Sequence, residues 1–115
     1  MQNYMLVMTG RPKDWKAFSP EENQQIMERY FAFVDKLRKD HGFVAGSPLK
    51  EGGFGLARIG DRLEIDGPFP ETKEVLNGYM IFKAESLAAA VEIAKACPAL
   101  THGEAVQVFE MGGHG

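Results

Sequence analysis

The chain predicts an α+β fold, with two amphipathic helices laid on one face of a sheet. Three observations carry that class. Ser19-Pro20-Glu21-Glu22 opens a long run of helical periodicity, an alanine-rich stretch forms a second helix before Pro98, and short apolar runs bounded by Gly, Pro and Asp surround both.

Taken in order, residues 4–8 are a short apolar run ended by Thr9-Gly10, suited to a buried first strand. Residues 11–18 form a loop carrying Pro12 and Trp15. Ser19 is then an N-cap, Pro20 fits the first helical position and Glu22 completes a capping box. Ile26, Tyr30, Phe33, Val34 and Leu37 recur at helical spacing, and Gly42 ends the helix just beyond His41. Residues 43–45 read as a second strand broken by Gly46-Ser47-Pro48. Residues 54–59 and 62–65 flank Gly60-Asp61 as a hairpin, and residues 78–83 are the clearest strand. Ser86 caps the second helix, with Leu87, Ala90, Val91 and Ala94 on one face and Pro98 enforcing its end. Residues 103–111 are the last strand, and residues 112–115 a mobile tail. The order is that of a ferredoxin-like βαββαβ domain, over residues 1–111, with a hairpin inserted between its halves. Helices on one face leave the other apolar and in need of cover, so a homodimer packed sheet against sheet is expected.

Composition narrows the function. The chain has 115 residues and a formal net charge of −3, which argues against a nucleic-acid partner. The single cysteine, Cys97, excludes an internal disulfide framework and fits a cytoplasmic protein. No apolar run approaches membrane-spanning length. His41, His102 and His114 do not share metal-ligand spacing, so neither a metal nor another cofactor is expected. Gly52-Gly53-Phe54-Gly55 lacks the strand–turn–helix setting of a phosphate loop.

The segment with most chemical content is Asp66-Gly67-Pro68-Phe69-Pro70-Glu71-Thr72-Lys73-Glu74. Its two prolines prevent a regular central strand and stiffen a loop that displays acids and a base around one aromatic ring. Asp66 either fixes the turn through backbone hydrogen bonds or serves as a cleft acid whose pKa neighbouring carboxylates raise. Lys73 would then stabilise developing negative charge. Phe69, Glu71 and Glu74 are candidate ligand contacts, as is Tyr30, whose place on the apolar helical row equally suits core packing. His41 suits the helix C-terminus, and Cys97 reads as a small buried residue.

Asp66-Gly67-Pro68-Phe69, continued by Glu71-Thr72-Lys73-Glu74 and Gly78-Tyr79, resembles the DGPF-domain branch of the YCII-related superfamily. Tyr4-Met5-Leu6-Val7, Ala45-Gly46-Ser47-Pro48-Leu49, Cys97-Pro98 and Gly103-Glu104-Ala105-Val106-Gln107-Val108 extend the likeness over nearly the whole chain. The resemblance implies a ferredoxin-like dimer whose sheets form an α+β barrel around a cleft. It also implies a possible genetic association with sigma factors, and thus an alternative role as a protein-interaction module. The same fold serves small monooxygenases and muconolactone isomerases, so a cofactor-free monooxygenase-like enzyme is a further alternative by analogy alone. A His–Asp pair is proposed as the superfamily's active site. Here the middle of the first helix reads Arg29-Tyr30-Phe31, so Tyr30 stands nearest the expected histidine. The leading expectation is a small homodimer that holds a small molecule near residues 66–74, with acid–base catalysis by Asp66 in reserve.

Overall fold

The computed structural model describes residues 1–10, 18–70, 73–101 and 103–112. The loop centred on Trp15, the candidate contact Glu71, His102 and the end of the glycine-rich tail lie outside the described residues. The fold is α+β. Strands β1 (Gln2–Gly10), β2 (Ala45–Pro48), β5 (Val75–Ala84) and β6 (Ala105–Glu110) form one sheet in the order β2-β5-β1-β6, with every neighbouring pair antiparallel. Strands β3 (Gly55–Ile59) and β4 (Arg62–Asp66) make a separate two-stranded hairpin.

Helix α1 (Pro20–Asp40) begins as its sequence dictates. The Glu22 amide donates to Ser19 Oγ and the Ser19 amide to Glu22 Oε1, each at 3.1 Å, so two otherwise orphaned donors are satisfied reciprocally. Ile26, Phe33 and Leu37 bury one stripe of α1. Helix α2 (Leu87–Ala94) is capped by Ser86 Oγ, which accepts from the Ala89 amide, and it lays Ala90 and Ala94 against the sheet. It stops four residues before Pro98, where a 3₁₀ turn (Pro98–Thr101) takes over, so Pro98 starts the next turn as well as limiting the helix.

Register decides which side chains meet those helices. Tyr4, Leu6 and Met8 of β1 pair with Phe82, Met80 and Gly78 of β5, and the five that carry side chains join Phe33, Leu37 and Cys97 in one core cluster. Alternation sends Met5, Val7, Tyr79, Ile81 and Phe109 to the opposite face. Neither helix covers that face.

Two sequence readings are corrected. The second strand is Ala45–Pro48, not 43–45 broken by the Gly-Ser-Pro triplet. It is an edge strand, which tolerates Pro48, and the Val44 and Leu49 amides extend its ladder to the Ile81 and Asn77 carbonyls at 2.8 and 2.9 Å. Strand β5 starts at Val75, three residues before the apolar run, because a register shift between Met8 and Thr9 lets the first strand follow it.

Candidate functional site

Along the β2–β5 edge, α1 stands off the sheet and leaves a cleft of about 880 Å³. Its helical wall is Met27, Phe31, Val34 and Arg38, residues that recur at three- and four-residue intervals beside the buried stripe. Met8, Met80 and Gly46 form the floor, with Leu49 at the rim. The space exists because β2 offers little side chain beneath the helix. A Cβ on Gly46 would come 2.9 Å from the Tyr79 carbonyl oxygen and 3.3 Å from the Met80 side chain, so only glycine lets the edge strand close so tightly on β5.

One end of the cleft is polar. Tyr30 on α1 donates its hydroxyl to Glu104 Oε2 at 3.4 Å, and Asn77 on β5 donates to Glu104 Oε1 at 2.8 Å. Asn77 Nδ2 also donates to the Gly10 carbonyl at 3.3 Å, which ties the network to the end of β1. Tyr30, Asn77 and Glu104 all border the cavity. Burial, and then the Glu104 carboxylate, hold the Tyr30 hydroxyl well above the usual tyrosine range. Tyr30 is therefore a neutral hydrogen-bond donor near neutral pH. Cys97, sealed in the core, is also pushed up by burial, which keeps it a thiol and not a nucleophile.

Arg38 marks the other end. It follows Tyr30 by eight residues, about 12 Å along the helix axis. Its guanidinium lies 5.3 Å from the centroid of the Phe43 ring, and among the described residues it makes no ion pair. Asp35, also on the lining, is engaged by Lys39 at 2.9 Å.

The 66–74 segment is built differently. Asp66 Oδ2 meets Lys73 Nζ at 2.7 Å, and the same ammonium sits 4.2 Å from the Phe69 ring centroid. The Phe69 amide donates to the Gly53 carbonyl at 2.8 Å, so the loop folds back on the chain leading into β3. Gly67 permits this close return: its φ is +137°, and a Cβ would lie 2.8 Å from the Gly53 carbonyl oxygen. Asp66, Lys73 and Phe69 thus come together, whereas Glu74 is exposed at the foot of β5. None of these four lines the cleft beside Tyr30; the loop is anchored to Gly53, two residues from the cleft-lining Glu51. Asp66 is mostly exposed, its side chain at 72%.

Sequence reasoning passed over Asn77, Glu104 and Arg38 as site residues. Asn77 had a signal, a polar residue ill-suited to strands at the edge of the most apolar strand. Glu104 had none, because its meeting with Tyr30 spans 74 positions of chain. Among the described residues no helix is long and apolar enough to cross a membrane, and no three His, Cys, Asp or Glu side chains are grouped to hold a metal ion.

These features define a class of small α+β protein, with an apolar cleft under one helix and a hydrogen-bonded tyrosine–glutamate–asparagine group closing it. Residues 2–112 match the family model described as the YCII-related domain. The chain belongs to that family. No curated protein matches it.

Proposed function

We propose that this chain is a small homodimeric protein that binds a small molecule in the cleft between α1 and the β2–β5 edge. The observation that carries the reading is the cleft itself: about 880 Å³, mostly apolar, with Tyr30, Asn77 and Glu104 converging at one end. Preformed ligand sites have this size and this division between apolar walls and a few placed polar groups. Asp66 and Lys73 neutralise each other in an exposed loop, so we assign them to bracing the segment beside the cleft, with Phe69 as its anchor.

The strand order β2-β5-β1-β6 supports a ferredoxin-like core, with the β3–β4 hairpin as its insertion. The dimer is supported by surface. The chain exposes 8003 Å², against about 6,200 Å² for a folded monomer of its mass. The excess exceeds the roughly 800 Å² that each partner buries in a standard interface. Its apolar part includes Phe109, beside the half-buried Ile81 on the sheet face, and one side of the hairpin, where Leu56 pairs with Ile65 and Leu63 lies opposite Arg58.

A second reading, acid–base catalysis, is favoured by the same network. Glu104 would accept a substrate proton, with Tyr30 and Asn77 orienting its carboxylate. Both readings require occupancy of the cleft. A melting-temperature screen against small acids, amines, lactones and aromatics tests this, since a ligand selective for the folded state must raise Tm. The expected hits vanish in Val34→Trp, which fills the cleft. A screen without any hit overturns the reading.

A further inference from the structure

The cleft is electrically polarised along its length, and this constrains what it holds. At one end the Glu104 carboxylate accepts from Tyr30 and Asn77, one bond to each oxygen. A carboxylate has about four lone-pair sites, so acceptor capacity remains for a further donor. At the other end Arg38 brings five donors and makes no ion pair among the described residues, its guanidinium lying on the Phe43 ring. Between them Phe31, Val34 and Met80 give the wall its apolar character, while Asp35, held by Lys39, and Ser47 and Glu51 add polar groups to the lining. Tyr30, which holds Glu104 by its hydroxyl, and Arg38 stand eight residues apart on α1, about 12 Å along the helix axis.

Resting on the small-molecule reading above, we infer that the ligand is bipolar: an apolar chain or ring with a carboxylate facing Arg38 and an amine facing Glu104. An anion alone leaves the Glu104 end without a cationic partner, and an amine alone leaves Arg38 without an anionic one. Neutral hydrocarbon would cover the walls while stripping water from both charged ends, an unfavourable exchange.

The test is a matched set of eight-carbon probes titrated calorimetrically into the full chain: ω-aminooctanoate, octylamine, octanoate and octanol. The expected order is ω-aminooctanoate tightest, with each missing head costing about ten- to a hundredfold, as loss of a charge-assisted hydrogen bond does. Arg38→Gln should weaken ω-aminooctanoate and octanoate and leave octylamine unchanged. Glu104→Gln should do the converse. Arg38 is exposed, so its substitution leaves the core intact, and circular dichroism checks that both variants fold. Equal binding of all four probes, or tightest binding of a one-headed probe, overturns the bipolar ligand while leaving the cleft as a small-molecule site. Binding of none, with no hit in the wider screen, overturns both.

Discussion

Tyr30 shows how one side chain serves packing and chemistry together. Its ring sits on the helical row that packs against the core, and its hydroxyl reaches Glu104 in the cleft. Because the folded state raises its pKa above 10.0, an unfolded chain ionises this phenol first as the medium becomes alkaline. The stabilisation is therefore complete below pH 10 and is lost as pH climbs toward the higher folded value. Tyr30→Phe should give a shallower alkaline loss of stability than the wild type, read from urea midpoints at rising pH; an unchanged slope would show that the hydroxyl is not held as described. Asp66 provides the contrast. Its bond to Lys73 is exposed, so Asp66→Asn should cost no more than about 1 kcal/mol in chemical denaturation and leave ligand-induced Tm shifts intact. Loss of those shifts would return Asp66 to the binding site.

At the scale of elements, the edge strand β2 controls the room under α1. Gly46→Ala places a methyl 2.9 Å from a backbone carbonyl that cannot swing aside. The expected cost is about 1–3 kcal/mol of stability, measured by urea denaturation, together with weaker binding in the cleft. A neutral result would mean that the floor is not closely packed. This strand is also where the sequence misleads. Gly-Ser-Pro reads locally as a break, and only its edge position, a tertiary fact, makes it a strand. Helix α1 was legible because everything that specifies its start lies within four residues, from Ser19 to Glu22. The hairpin was legible from the Gly60-Asp61 turn and the apolar runs on either side. The candidate site was much less so. Tyr30 could be picked out, yet its partners come from β5 and from the residue before β6, and no local pattern joins them. The 66–74 segment drew attention because its stiffness is written in prolines, which report backbone geometry and not chemistry.

For the whole molecule, shape is the informative quantity. The chain measures 47 × 44 × 19 Å, with a radius of gyration of 16.1 Å where about 13 Å suits a compact domain of this size. A slab with helices on one side leaves the other sheet face partly exposed, with Phe109 open at its edge, and the hairpin pairs with no strand of the main sheet. Along that hairpin Leu56, Leu63 and Ile65 share one side with Arg58, while Ala57, Glu64 and Asp66 occupy the other. An isolated two-stranded ribbon is marginally stable in water, so a partner for its apolar side is the physical requirement. The proposed dimer supplies one. Light scattering on the purified chain should give twice the 12.7 kDa chain mass. Ile81→Lys, which puts a charge on the sheet face opposite the helices, should reduce the mass to that of one chain; Leu63→Lys tests the hairpin in the same way. Neither residue belongs to the buried core cluster, so a retained far-ultraviolet circular dichroism spectrum separates loss of association from loss of folding. A wild-type chain that runs as a folded monomer at all concentrations would overturn the dimer and leave both apolar faces to be explained by another partner.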